Sequence, residues 1–161
     1  MSLINHRRRS ARWHGASQKV GQLADPLFLD RIDIQCEILP LSFREISTAS
    51  PGEPSSVIRE RVLRARNIQA QRFASIQGVH CNAQMSEKQL REYCILDTES
   101  SELLRMAMER LQLSARAYSR ILKVARTIAD LEGSESILSH HVAEAIGYRN
   151  LDRSDWAERR G

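Results

Sequence analysis

LSARAYSRILKVARTIADLEGS, residues Leu113–Ser134, decides the fold. Tyr118, Ile121, Leu122, Ala125, Ile128 and Ala129 recur at three- and four-residue intervals, the apolar stripe of an amphipathic helix. Ser114 stands where an N-cap accepts a backbone N–H, and Gly133 stands where a helix turns left-handed to stop. Arg116, Arg120, Lys123 and Thr127 fall on the opposite side. Arg116 and Arg120 lie in the first two turns, where the helix dipole does not favour cations. Guanidinium groups placed there call for an anion from elsewhere. Phosphate is a natural one, because arginine binds its oxygens bidentately. The spacing by itself fits a solvated charged face equally well.

Outward from this segment the chain reads as more helices joined by short loops. Asp97 caps a helix with Leu103, Leu104, Met106, Ala107 and Leu111 on its apolar side, Met106 and Met108 reading as core filler. Ser86-x-x-Gln89 is a capping-box pattern opening a short helix through about Tyr93. Ser55 or Ser56 caps a longer helix to about Ile76. Ile58, Val62, Ala65 and Ile68 then face inward, while Arg59, Arg61, Arg64, Arg66 and Arg72 face out, with Glu60 and Arg64 as a favourable pair. Ser139 caps a last helix containing Val142, Ala143, Ala145 and Ile146. The fold class is mainly α, a bundle of four or five helices. Ahead of the turn-rich linker STASPGEPSS, residues 47–56, Ile32, Ile34, Cys36 and Ile38 alternate with Asp33, Gln35 and Glu37. That is the period of a half-buried strand. One strand cannot satisfy its own edges, so the alternation predicts the remnant of a sheet lying outside this chain.

The composition is that of an ordinary globular protein: 161 residues, 42% apolar, 27% charged, net charge +4. Aromatic residues make up only 5%, so the core must be aliphatic. No apolar run approaches the roughly 20 residues of a membrane span, and Met1 to Arg12 has no apolar segment of the secretory kind. Three cysteines without C-x-x-C spacing argue against a disulfide framework and for the reducing cytoplasm. His140 and His141 are neighbours on a helix, about 100° apart, so no metal site is expected. Residues 1–25 show no periodicity and hold Arg7, Arg8, Arg9 and Arg12. They read as an unpacked basic leader, as an arm for nucleic acid, or as a leader foreign to the native protein. Residues 154–161 read as a polar tail.

No G-x-x-x-x-G-K-[ST] loop is present, and the seven glycines are scattered. Neither H-E-x-x-H nor G-x-S-x-G occurs. Asp30 and Asp33 flank Arg31, but two acids in a polar strand entry do not by themselves make a general acid/base pair, and by residue type Arg31 also fits an ion pair with either of them. No complete active site is expected. Such a chain would act by lending residues to another domain or subunit.

LDRIDIQCEILPL, PGEPSSVIRERVLRAR, AMERLQLSARAYSRILKVARTIADLEGS and HHVAEAIGYRNLDR together resemble the C-terminal part of magnesium-chelatase-like AAA+ ATPases of the ComM/YifB type, over roughly Pro26 to Arg153. The family usually reads SGPLLDRID where this chain reads ADPLFLDRID. The resemblance implies the end of an ATPase core at 26–50, a helical AAA+ lid at 51–153, and a short strand left from the α/β core. It implies that Arg31 is an arginine finger, reaching in trans the γ-phosphate held by a neighbouring subunit. Arg116 is implied to be the sensor-2 arginine, on the phosphates held by its own subunit, with Arg120 as support; Arg126 reads as structural. ATP and Mg2+ would belong to the intact parent, with none held tightly by this chain, which alone should be inactive. The implied partners are other subunits of an ATPase ring and DNA, in a branch-migration role, without a membrane. The rival readings are a stand-alone basic nucleic-acid-binding module, supported by Arg7–Arg9 and the arginines of Arg59 to Arg72, and a helical protein-interaction adaptor. The chain lacks an aromatic stacking platform for the first of these.

Overall fold

The computed structural model describes residues 31–36, 38 and 40–149. The leader 1–25, the rest of the run to residue 30 and the tail 154–161 lie outside the described residues. Asp33–Asn150 forms one compact unit, while Arg31 and Ile32 belong to a second.

The chain is mainly helical. Its elements among the described residues are α1 (Phe43–Thr48), α2 (Ser55–Arg72), a 3-10 turn (Asn82–Gln84), α3 (Glu87–Tyr93), α4 (Thr98–Leu111), α5 (Ala115–Glu132) and α6 (Ser139–Gly147). The five helices α2 to α6 form the expected bundle, and α1 buries no residue. No described helix is long and apolar enough to cross a membrane.

Helix α5 is the post of the bundle. Helices α2, α3 and α6 and the 3-10 turn pack against it, and α4 packs against α6. Ile121, Leu122, Ala125 and Ala129 of the expected stripe are buried, joined by Ala117. Tyr118 departs from the stripe at 43% exposed. Leu104, Ile137, Val142 and Ala145 extend this core, together with Phe73, Met85, Leu90 and Cys94. Each large aliphatic side chain buried there contributes roughly 1.5–3 kcal/mol. Met106, expected as filler, is half exposed, whereas Met108 packs against the core.

The caps follow the residue types. Ser114 Oγ accepts from Ala117 N–H at 3.1 Å, and the Asp97 carboxylate accepts from Ser100 N–H at 2.7 Å. Ser86 and Gln89 close a reciprocal capping box. Gly133 ends α5 with φ 82°, and Ser134 N–H donates to the Ala129 carbonyl at 2.8 Å. A side chain at Gly133 would strain this left-handed cap.

No strand forms over residues 31–36, and the one β pairing among the described residues is an isolated parallel bridge between Leu96 and Ile137. Ile34, Cys36 and Ile38 are exposed. A strand needs a neighbour for its edge groups, and the described residues offer none. The segment instead runs onto the bundle, where Gln35 N–H donates to the Tyr148 carbonyl at 3.0 Å.

Helix α2 starts after Pro54 and ends at Arg72, short of Ile76. Ala65 and Gln69 are buried, but Ile58 and Val62 on the same face are 40% and 43% exposed. The inward stripe was read on the correct face, but no described residue covers it over the first two turns. At the other end of α2, Arg72 turns inward rather than out. Its guanidinium holds the Asp130 carboxylate with both Nη atoms, at 2.7 and 2.5 Å. Asp130 also accepts from Asn82 Nδ2 at 2.8 Å and from Arg126 Nε at 3.1 Å. Arg126 donates onward to the Glu135 and Ser134 carbonyls at 2.8 and 2.6 Å. One buried carboxylate thus ties α2, the 3-10 turn and the loop after α5 together, the structural role expected of Arg126. Burial pushes the Arg126 pKa down, and Asp130 acts in the opposite direction.

Candidate nucleotide-sensing face of helix α5

The polar side of α5 divides into two halves. In the lower half Lys123 Nζ donates to the Ala83 carbonyl at 3.0 Å, and Thr127 Oγ1 accepts from Asn82 Nδ2 at 3.1 Å. These two residues brace the 3-10 turn and are not a solvated face. Ser119 Oγ, one residue before Arg120, donates to Glu87 Oε1 at 2.9 Å and ties α5 to α3.

The upper half carries Arg116 and Arg120, one turn apart. Arg116 is exposed in the first turn. Its backbone is held firmly, because Ser114 caps the helix and Ala117, the next residue, is 1% exposed. A fixed base with a solvent-reachable guanidinium can meet an anion from outside without reorganising the helix. Arg120 is more enclosed, with its side chain 22% exposed, and its Nη1 lies 2.5 Å from Asp33 Oδ1. The pair is an ion pair by distance, yet Nη1 makes no aligned hydrogen bond. Spacing gave no sign of this contact, since the partners lie far apart in the sequence. Arg31 is exposed at a turn, outside the Asp33–Asn150 unit.

The His140–His141 pair corrects an expectation. Adjacent helical residues were expected to diverge, yet both Nε2 atoms meet Glu132 Oε2, His140 at 2.9 Å and His141 closer still. The rings tilt against each other at 4.0 Å between centroids. Glu132, His140 and His141 are thereby close enough to share a metal ion. The donor set does not fit one. Leu138 N–H donates to His141 Nδ1 at 3.0 Å, taking the place of the cap expected from Ser139. With Nδ1 accepting, a neutral imidazole carries its proton on Nε2 and donates it to Glu132, leaving no lone pair for a metal. The cluster is a clasp between the end of α5 and the start of α6.

This clasp carries a pH signature. The hydrogen bonds from His140 and then His141 hold the Glu132 carboxyl below its ordinary value. A carboxylate with a depressed folded pKa adds stability above its unfolded pKa and loses it as pH falls through the folded value. Wild type should therefore resist urea better than Glu132→Gln at pH values above the ordinary carboxylate range. The difference should shrink as pH falls below the ordinary carboxylate range. A gap that persists unchanged at acid pH would refute the clasp.

Comparison with known proteins agrees with this architecture. The family model described as magnesium chelatase, subunit ChlI C-terminal, matches residues 52–149. The chain is 42% identical over 136 residues to the competence protein ComM of Haemophilus influenzae, covering 83% of this chain and 25% of that protein. It is 39% identical over 135 residues to the uncharacterized protein YifB of Escherichia coli, covering 83% and 26%. An uncharacterized protein of Mycobacterium tuberculosis is 37% identical over 130 residues, covering 81% and 25%. The chain spans about a quarter of the length of the curated relatives it matches.

Proposed function

This chain belongs to the magnesium chelatase subunit ChlI C-terminal family, and from that premise we propose that it is the helical lid of a ring-forming AAA+ ATPase of the ComM/YifB type. In this reading a separate nucleotide-binding core holds ATP and Mg2+, for which this sequence has no P-loop. The lid closes on the phosphates through Arg116. Arg120 supports it from the next turn, and Arg31 acts as an arginine finger on the ATP of a neighbouring subunit. The observation that carries the reading is Arg116 itself, an exposed guanidinium on a capped, tightly packed helix end. Two arginines one turn apart suit phosphate oxygens, and the first turn of the helix carries no acid of its own. ATP turnover would take place in the cytoplasm and serve DNA processing. The name of the ComM relative concerns competence, and that role enters here only as a proposal.

The test is Arg116→Ala in the complete protein, core and lid together. Losing a charged contact to the transferring phosphoryl group should cost about 10-fold or more in turnover, whereas Arg116→Lys, a point charge without the fork, should recover only part. Unchanged turnover in Arg116→Ala would remove the sensor role.

A second reading rests on α2. Arg59, Arg64 and Arg66 are exposed on this helix, which fits a stand-alone nucleic-acid-binding surface. Binding of duplex DNA by this chain, falling steeply with salt and lost in an Arg59/Arg64/Arg66 triple alanine variant, would favour it.

A further inference from the structure

We propose that the N-terminal half of α2 is a docking face for an amphipathic helix of another protein, one whose apolar seam is bordered by carboxylates. The assignment concerns a different helix from the nucleotide reading and stands without it. Ile58 and Val62 lie on one helical line with Ala65 and Gln69, at steps of four, three and four residues. Ala65 and Gln69 are buried, whereas Ile58 and Val62 stay open to solvent. A lone exposed aliphatic side chain is ordinary, but these two prolong a face that the bundle itself uses for packing. The bare stretch is the same kind of surface as the buried one, without a cover among the described residues.

Charge indicates what covers it. At 100° per residue, Arg61 falls on one edge of the stripe and Arg59 and Arg66 on the other. Arg61 shows how such an edge takes a carboxylate, its two Nη atoms donating to the two Glu53 oxygens at 2.9 and 3.0 Å. Arg59 and Arg66 are exposed and have no acidic partner among the described residues. An apolar seam with charged borders is the arrangement by which paired helices choose each other, since like charges repel and opposite charges attract. A second copy of this chain would set arginine against arginine. Residues 1–25 hold four arginines and a lysine against one acid, so they are repelled as well. Helix α1 has bare apolar residues in Phe43 and Ile46, but its one acid, Glu45, is engaged by Ser42 in a capping box. Duplex nucleic acid would engage the arginines through its phosphates and leave Ile58 and Val62 unmatched. A helix with an apolar seam and acidic edges satisfies seam and borders together.

The experiment uses the full chain and a designed peptide of about three heptads, with leucine and isoleucine at the seam and glutamate at the flanking positions. Binding is read by fluorescence anisotropy. Two further peptides carry lysine at the flanking positions, or keep the glutamates and carry serine at the seam. The glutamate peptide should bind at least about 10-fold tighter than either. Ile58→Gln/Val62→Gln, at two exposed positions, should weaken it about 10-fold. Arg59→Glu/Arg66→Glu should reverse the preference to the lysine peptide, a gain that misfolding does not produce. Equal binding of the serine-seam peptide would reduce the face to plain charge attraction and overturn the proposal, as would absence of binding or an unreversed preference. Duplex DNA that binds more tightly than the glutamate peptide and displaces it would assign the face to nucleic acid instead. Self-association of the chain, abolished by Ile58→Gln/Val62→Gln, would assign it to a second copy and equally overturn the proposal. The titration is then repeated on the complete protein. Binding retained there supports a separate partner, and binding lost there gives the face to the rest of the same polypeptide and overturns it.

Discussion

Asp130→Ala is expected to lower the unfolding free energy of the helical unit by about 3–5 kcal/mol, the cost of stripping the partner from buried charge. The Asp130 side chain is fully enclosed and serves two arginines and one amide. Without it Arg72 and Arg126 stand near each other with no countercharge between them. Neither is placed to regain water, since their side chains are 13% and 4% exposed. For a unit of this size the loss should lower the melting temperature by roughly 10–20 °C. Asp130→Asn keeps the shape and one acceptor oxygen and should lose less. Glu102→Ala breaks an ion pair with Arg105 in which both side chains are about half exposed. It should cost far less, because exposed pairs are screened and hold two long side chains in one geometry. Urea unfolding followed by far-ultraviolet circular dichroism measures all three. A cost for Asp130→Ala as small as that for Glu102→Ala would mean that the network is not what joins α2 to α5.

Arg31→Ala is expected to have the largest effect on activity. An arginine finger meets charge that develops only as the phosphoryl group transfers, so its loss falls on turnover and not on ground-state binding. Fingers in other nucleotide hydrolases contribute about 10³–10⁵ in rate. In the proposed ring a loss of at least about 10²-fold is expected, with nucleotide affinity little changed. Arg31→Lys should not restore it, because an ammonium lacks the planar fork. The trans arrangement has its own check. Arg31→Ala subunits, with their own nucleotide sites intact, are mixed with subunits that keep Arg31 but cannot bind nucleotide. Mixed rings should regain turnover that neither parent shows. Failure to complement, with both variants still assembling, would assign Arg31 to its own subunit or to no catalytic role. An unchanged rate in Arg31→Ala would remove the finger altogether.

What the residue pattern disclosed, and what it hid, follows from the range of the interactions. The stripe of α5 and the caps at Ser86, Asp97, Ser114 and Gly133 are local and were legible, because each needs partners only three or four residues away. The alternation of Ile32, Ile34, Cys36 and Ile38 was equally clear, yet a strand depends on a neighbour, and none is described for it. Ile58 and Val62 show the same limit, a correct face whose covering surface does not lie among the described residues. Arg72 was misassigned because five arginines in one helix look alike in a periodicity, and only Asp130, far along the chain, singles one out. His140 and His141 converge on Glu132 because the loop after Gly133 brings the start of α6 back against the end of α5. Of the candidate site, the proximity of Arg116 and Arg120 follows from helical spacing. The Asp33 contact on Arg120 does not, since no local rule joins residues so far apart.

The most direct test is the distance from the Arg116 guanidinium to the nucleotide phosphates in the complete protein, determined with a non-hydrolysable ATP analogue and Mg2+ bound. The lid assignment predicts Arg116 within hydrogen-bonding distance, about 3 Å, of a phosphate oxygen in the same subunit. An Arg116 left in solvent, with the phosphates held closed by residues from elsewhere, would contradict it.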